Sequence, residues 1–170
     1  MEEKKSTPVE VLFAKPLLHW WQGLDDDRGT RAALRRCATV DAVSVSEAYQ
    51  RFYRYMLACG WPEDASDRQR DKLAAIAGLV ANIKNDDDSQ PLPVRMSELS
   101  GDRPLVSELR FRDLLKVEST DDLYVSLRRI LPLLKQQASI QQLARDVYGW
   151  NEDTRKKWAY AYRWPTKPSA

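Results

Sequence analysis

Apolar side chains recur every three or four positions along almost the whole chain, and the strict alternation that marks a half-buried strand is scarce. The clearest stripe lies in residues 120–137 and consists of Leu123, Leu127, Ile130, Leu131 and Leu134. Asp121 and Asp122 stand at its start, where the helix dipole favours acidic side chains. Pro132 predicts a bend, because it lacks the N–H that would bond the Arg128 carbonyl. The overall pattern predicts an all-α protein, a compact bundle of about eight or nine helices with no significant β-sheet.

Local signals mark where several of these helices begin and end. Ser66 with Gln69, and Ser139 with Gln142, have the spacing of an N-terminal capping box, in which each side chain bonds the backbone N–H of the other residue. Gly60 is placed to end the helix before it.

Two further segments carry helical stripes. Residues 45–59 align Val45, Ala48, Phe52, Tyr55, Met56 and Cys59. Residues 105–116 align Leu105, Leu109, Phe111, Leu114 and Leu115. Cys37 and Cys59 are the two cysteines of the chain, and their apolar neighbours predict buried free thiols in a reducing compartment.

The regular pattern breaks in residues 85–104, where prolines, a glycine and three adjacent aspartates crowd one stretch. We expect a connection here that contains a short helix around residues 96–100. It joins an N-terminal helical part, residues 8–84, to a C-terminal helical part, residues 105–164. Together they are predicted to form one all-helical domain covering residues 1–170.

The composition is that of an ordinary soluble globular protein, with 43% hydrophobic residues, 31% charged residues and six glycines in 170 positions. Six tryptophans imply large aromatic anchors in the core or at an interface. No window of about 18 apolar residues offers a membrane span, and the charged N-terminus lacks the apolar core of a signal peptide. We therefore expect a cytoplasmic protein.

The formal net charge is +2, but the charge is distributed unevenly. Residues 1–100 carry 14 basic and 16 acidic side chains, whereas residues 101–170 carry 13 and 9. This asymmetry permits a basic face but is weaker than the footprint of many autonomous DNA-binding proteins. A nucleic-acid role would therefore be auxiliary, within a larger assembly.

The parts that most enzyme sites require are missing. His19 is the single histidine, and the chain has no glycine-rich phosphate loop and no Cys-x-x-Cys pair. The aspartate runs 25–27 and 86–88 could in principle hold Mg²⁺ for a nuclease, but consecutive carboxylates diverge and both runs fall in predicted turns. We expect no enzyme activity, no metal and no cofactor, and a nuclease is the disfavoured alternative.

Two pairs of adjacent arginines are embedded in apolar helical segments, Ala33-Leu34-Arg35-Arg36 and Leu127-Arg128-Arg129-Ile130. Guanidinium groups on rigid elements suit the recognition of phosphate. Because neighbours on a helix point about 100° apart, we expect one member of each pair to contact phosphate and the other to form an internal salt bridge. For any single pair, a solvated helix surface is the alternative.

Fragments spread over nearly the whole chain occur in a characteristic order: Trp20-Trp21-Gln22-x-Leu24, Arg31-x-x-Leu34-Arg35-Arg36, Phe52-Tyr53-Arg54, Gly60-Trp61, Arg110-Phe111-Arg112-Asp113-Leu114-Leu115, Asp121-Asp122-Leu123, Leu127-Arg128-Arg129-Ile130, Leu143-Ala144-Arg145-Asp146 and Trp158. Their order and spacing resemble those of the CasB family, the small subunit of the type I-E CRISPR surveillance complex called Cascade. The resemblance implies an all-helical, non-catalytic subunit that acts in antiviral defence.

The resemblance also implies partners. The family packs against the backbone and large subunits of Cascade, occurs as two copies, and helps to hold the guide RNA, the target DNA strand and the displaced strand. We therefore expect a subunit that binds these nucleic-acid backbones and stabilises the R-loop. The alternative is a helical protein–protein scaffold subunit without direct nucleic-acid contacts.

The positive charges of the family carry over only to positions where this chain supplies them. The resemblance thus implies nucleic-acid binding by Arg35, Arg36, Arg110, Arg112, Lys116, Arg128 and Arg129. The last predicted helix departs from the family pattern, because its basic residues Arg155, Lys156 and Lys157 are placed differently.

Overall fold

The computed structural model describes residues 15–166, and this part of the chain is helical almost throughout. Its ten α-helices are α1 (Lys15–Gly23), α2 (Arg28–Arg35), α3 (Val40–Ser44), α4 (Glu47–Ala58), α5 (Asp67–Val80), α6 (Leu92–Met96), α7 (Glu108–Leu115), α8 (Thr120–Ile130), α9 (Ile140–Tyr148) and α10 (Glu152–Ala161). The helix that the sequence did not predict is α3, a five-residue helix between two longer ones.

Four strands of two residues each supply the β-structure of the described residues. β1 (Asn85–Asp86) pairs in parallel with β4 (Gln137–Ala138), and β2 (Leu99–Ser100) pairs antiparallel with β3 (Arg103–Pro104). These short pairs fasten connections and form no sheet layer, so the predicted all-α class is confirmed.

Helix α5 lies at the centre of the core. All residues from 73 to 83 are buried, and the helix packs against α3, α8 and α9. Gly78 permits the close approach of its neighbours, because a Cβ there would lie 2.7 Å from the Tyr124 hydroxyl oxygen and 3.0 Å from Val43 Cγ2. A helix buried on every side must be apolar all round, which explains its run of alanine, leucine and isoleucine.

Hydrogen bonds donated by buried aromatic side chains join distant elements to this core. The Tyr124 hydroxyl of α8 donates to the Cys37 carbonyl at 2.6 Å, and Trp21 Nε1 of α1 donates to the Ile83 carbonyl at 3.0 Å. Burial raises the pKa of Tyr124 to about 12, so the hydroxyl keeps its proton and remains a donor.

Of the two predicted capping boxes, the first forms completely and the second in part. Ser66 and Gln69 exchange their bonds at the start of α5. At the start of α9, Ser139 Oγ accepts from the Gln142 amide at 3.2 Å. Two carboxylates supply other bonds at this helix start: Asp86 accepts from the Ile140 amide at 2.9 Å, and Asp88 accepts from the Ser139 hydroxyl.

The predicted bend at Pro132 is a change of helix type. Helix α8 ends at Ile130, and a 3₁₀ helix, Leu131–Leu134, follows with Pro132 in its first turn. Lys135 and Gln136 then adopt left-handed backbone angles, φ 57° and 59°, which turn the chain into β4. The segment 120–137 is therefore not one continuous helix.

The short helix of the connection lies at Leu92–Met96, earlier than the predicted residues 96–100. Pro93 has the fixed backbone angle that suits a first helical turn, whereas Leu99 and Ser100 pair with β3 instead.

Three residues assigned to apolar faces are exposed. Val45 follows the end of α3 and is 77% exposed, because Ser46 caps a new helix at Glu47. Leu109 of α7 is 64% exposed, since that helix buries Phe111 and Leu114 instead. Cys37 is buried as expected, but Cys59, beyond the last turn of α4, is exposed.

None of the described helices combines the length and the apolar character that crossing a membrane requires.

Candidate nucleic-acid interface

Three of the predicted arginines meet at one cleft of about 600 Å³. Arg35 and Arg36 come from the end of α2, and Arg128 comes from α8, with Ala32, Asn82 and Pro132 completing the lining. The two arginine pairs lie far apart in the chain, because Arg35 and Arg128 differ by 93 positions. We call this group of residues the arginine cleft.

Arg128 is the inner member of its pair. Its side chain is half-buried, and Nη2 donates to the backbone carbonyl of Arg35 at 3.0 Å. This bond places a cation on a carbonyl at the C-terminus of α2, where the helix dipole favours positive charge. Nε of Arg128 is buried without a hydrogen-bond partner among the described residues.

Arg35 and Arg36 present their charges to solvent. Both side chains are exposed, and the Arg36 amide continues the helix by bonding the Ala32 carbonyl at 3.1 Å. Within residues 15–166, neither guanidinium forms an ion pair with a carboxylate. Positive charges that are concentrated and uncompensated in this way suit a polyanion.

Arg129 is exposed on α8 but is not part of the lining of the arginine cleft. The second pair divides into an inner and an outer arginine, but the inner one bonds a backbone carbonyl and not a carboxylate. In the first pair both arginines are exposed, and neither has the expected internal salt bridge among the described residues.

The structure places the other predicted residues elsewhere. Arg110 lines a separate cleft with Arg103, and Lys116 lines a third cleft whose acidic members are Asp113, Glu118 and Asp122. Arg112 is exposed on α7, the helix that also carries Arg110. The seven predicted residues therefore do not converge on one cleft, and nucleic-acid binding by each of them stays a prediction.

Arg103 is a cation that sequence reasoning missed. It lies in β3, in a stretch without helical periodicity, so no amphipathic pattern marked it. The spacing of two arginines seven positions apart could have been noticed, but only the turn of the β2–β3 hairpin brings Arg103 to Arg110.

The aspartate runs are used to hold the fold together. In the first run, Asp27 caps α2 by accepting from Thr30, and Asp25 pairs with Arg31 at 3.0 Å. Arg31, although it lies on the same helix as the exposed Arg35, is half-buried. Across the described range, no cluster of His, Cys, Asp or Glu has the form of a metal site, and His19 is exposed.

In the second run, Asp87 pairs with the buried Arg95, whose Nη2 lies 3.1 Å from its carboxylate. Hydrogen bonds from Ser89, supported by the Arg95 guanidinium, lower the pKa of Asp87 to about 2. With Asp86 and Asp88 bound at the start of α9, all three carboxylates have structural partners.

Basic residues of the last helix are partly neutralised. Arg155 lies 3.7 Å from the Glu118 carboxylate, and Lys156 lies 3.4 Å from that of Glu152. Lys157 is exposed. These contacts give α10 less free positive charge than its sequence suggests.

Comparison with known proteins identifies relatives in sequence and in fold. The profile of a family described as CRISPR-associated protein Cse2 matches residues 30–162. A chain in the crystal structure of E. coli Cascade bound to a PAM-containing double-stranded DNA target has a similar fold, with a TM-score of 0.63 and 22% sequence identity. The match covers 86% of this chain and 91% of that chain. Among curated protein sequences, none matches.

Proposed function

Because the chain belongs to the CRISPR-associated Cse2 family, also called CasB, we propose that it is a non-catalytic subunit of a cytoplasmic type I-E Cascade. In this role it packs against the backbone and large subunits, beside a second copy of itself. It binds the backbones of guide RNA and DNA and so stabilises the R-loop during antiviral defence. The fold shared with a chain of the E. coli complex supports this proposal.

The observation that carries the nucleic-acid part of the proposal is the arginine cleft. Arg35 and Arg36 are exposed without carboxylate partners in the described part of the chain, and the half-buried Arg128 adds a third guanidinium to the lining beside them. Arginine forms paired hydrogen bonds with phosphate oxygens. A cleft between two helices holds these groups more firmly than a flexible tail could.

A few phosphate contacts are enough for this function. An R-loop replaces one duplex with another of similar stability, so modest contacts between protein and backbone can shift the balance. Each neutralised phosphate also adds about 0.9 to the slope of log affinity against log salt concentration. The contribution of the cleft should therefore be measurable as a salt dependence.

The test is Arg35→Glu combined with Arg36→Glu in a complex reconstituted with guide RNA and its partner subunits. We expect weaker binding of target DNA, with the largest loss at low salt and a salt slope smaller by about 1.8. The measurement is a titration of labelled DNA at several salt concentrations.

Arg54→Glu with Arg68→Glu is the matched control, because both residues are exposed, form no ion pair within residues 15–166 and lie outside the arginine cleft, and the charge change is the same. Thermal melting confirms that both proteins are folded. Equal DNA affinity of the two variants at low salt would refute phosphate binding by the cleft. The same comparison with Arg129, Arg110, Arg112 or Lys116 replaced by glutamate tests the remaining predicted residues one at a time.

A scaffold subunit without nucleic-acid contacts is the second candidate, and exposed apolar side chains favour it. Val45 and Leu109 are large aliphatic residues left mostly in solvent, and covering this apolar surface with a neighbouring protein would be favourable. Under this candidate, Val45→Asp or Leu109→Asp lowers incorporation into the complex, while the Arg35 and Arg36 substitutions leave DNA binding unchanged.

A further inference from the structure

An aromatic corner is exposed at the end of α10, away from the residues of the arginine cleft. Tyr160 is 92% exposed and Trp164 is 38% exposed, and with Ala159 they line a shallow cleft of about 330 Å³. Fully exposed aromatic rings are unusual in a folded protein, because burial of their apolar surface is favourable. We call Tyr160 and Trp164 the aromatic corner.

The Trp164 ring is held in a fixed position. Its Nε1 donates to the Ala159 carbonyl at 2.8 Å, and its ring lies edge-on to Phe111 and Tyr162, with centroids 5.5 and 5.0 Å away. Phe111 and Tyr162 are buried and stacked at 4.1 Å. A ligand that binds Trp164 therefore meets a ring that is already ordered, which lowers the entropic cost of binding.

Cations border the aromatic corner. Pro165, the neighbour of Trp164, lines the cleft of about 360 Å³ described above for Arg103 and Arg110. Glu108 is the acidic residue of that lining. Arg163 is exposed immediately before Trp164. None of these three arginines forms an ion pair within residues 15–166.

We propose that the aromatic corner is a binding site for unpaired bases of single-stranded nucleic acid. Tyr160 and Trp164 stack on the bases, while Arg103 and Arg110 contact the adjacent phosphates. Exposed aromatic rings next to a cationic groove are the arrangement by which proteins bind single strands without reading their sequence. The inference does not depend on the arginine cleft, because it assigns base stacking rather than phosphate binding.

Uncompensated cations favour a nucleic acid over a protein as the occupant. A protein docked on Tyr160 and Trp164 would have to bring acidic groups to Arg103, Arg110 and Arg163, whereas a single strand presents a base and a phosphate at every step. Docking of a protein is accordingly an outcome that would overturn the proposal.

The experiment uses the full chain with two fluorescent 12-mers, oligo(dT) and a strand of abasic residues with the same number of phosphates. We expect the protein to bind oligo(dT) about tenfold more tightly, because only this strand can stack. Tyr160→Leu with Trp164→Leu should remove the preference and leave the affinity for the abasic strand unchanged. Fluorescence anisotropy measures both affinities.

Three variants make the result specific. Tyr160→Phe keeps the ring and should keep the preference for oligo(dT) over the abasic strand. Leu109→Ala removes exposed apolar surface but no aromatic ring, and it should keep this preference as well. Arg35→Glu with Arg36→Glu should weaken both strands equally, so failure of the arginine cleft is distinguished from failure of the aromatic corner. If loss of Trp164 unfolds the protein in circular dichroism, Tyr160→Leu alone carries the test, because Tyr160 is almost fully exposed.

Each remaining outcome overturns the proposal. If the wild type binds neither strand, or binds both equally, no base is recognised. A Tyr160→Leu and Trp164→Leu protein that keeps the preference for oligo(dT) places the site elsewhere. If the same protein keeps that preference but no longer enters the assembled complex, the aromatic corner is a protein contact.

Discussion

Arg128 and Arg129 are adjacent in the chain, but their surroundings give them different tasks. Arg128 bonds the Arg35 carbonyl and joins α8 to the end of α2, whereas Arg129 remains exposed. Replacing Arg128 would therefore change the shape of the arginine cleft as well as its charge. A charge-reversal test is clearer at Arg35 and Arg36, whose side chains carry no structural bond.

Asp87 gives a prediction about pH at the scale of a single residue. Its pKa of about 2 in the folded protein lies below the ordinary value of 3.8, so the folded state binds this proton less tightly than the unfolded chain. The stabilisation by Asp87 is thus complete above pH of about 4 and is lost as the pH falls toward 2.

We therefore expect Asp87→Asn to melt at a lower temperature than the wild type at pH 6, with a difference that shrinks as the pH approaches 2. The buried Arg95 guanidinium loses its counter-charge in this variant at every pH. Asp102→Asn, in the exposed β2–β3 turn, is the control. A melting difference that stays constant between pH 6 and pH 2 would contradict this account.

Among the elements, α5 is the one on which the others pack, and its close contacts depend on small side chains. A glycine in a helix interior ordinarily costs about 1 kcal/mol relative to alanine. At Gly78, however, a methyl group would collide with the Tyr124 ring and with Val43. Overpacking of a core costs about 1–3 kcal/mol, which outweighs the gain in helix propensity.

Gly78→Ala is therefore expected to lower the free energy of unfolding by up to about 2 kcal/mol, the overpacking cost less the gain in helix propensity. Gly23→Ala at the end of α1 is the control, because no atom lies within 4 Å of the added methyl group. Urea unfolding measures both variants. If Gly78→Ala proves as stable as Gly23→Ala, then α8 and α3 are not packed as closely on α5 as described.

At the scale of the whole molecule, one buried cluster includes residues before and after the connection at 85–104. Helix α5, from the N-terminal part, packs against α8 and α9 from the C-terminal part. We propose that the two parts fold as a single unit, since neither can cover this apolar helix alone.

A fragment of residues 1–104 is accordingly expected to lack cooperative unfolding, whereas the full chain unfolds in one transition. Circular dichroism and tryptophan fluorescence should give the same midpoint for the full chain. Two separate transitions, or a cooperatively folded fragment, would show that the parts are independent domains.

The sequence by itself determined the features that depend on residues a few positions apart. The all-α class, the capping box of Ser66 and Gln69, and the end of α4 shortly before Gly60 all follow from contacts within one or two helical turns. These interactions are local, so a pattern of residue types contains them. The prediction was wrong at Val45, whose spacing fits the apolar stripe of residues 45–59. In the structure Val45 lies between two helices, because α3 ends before it and α4 begins after it.

Only the tertiary structure decided which charges meet. Arg35 and Arg128 are joined across 93 positions, and Arg103 reaches Arg110 through a hairpin turn. Helical periodicity states that a side chain faces outward, but not which other element lies beside it. The aromatic corner shows the same limit, because the packing of α10 against α6 and α7 buries Trp158 and Tyr162 but leaves the neighbouring Tyr160 in solvent.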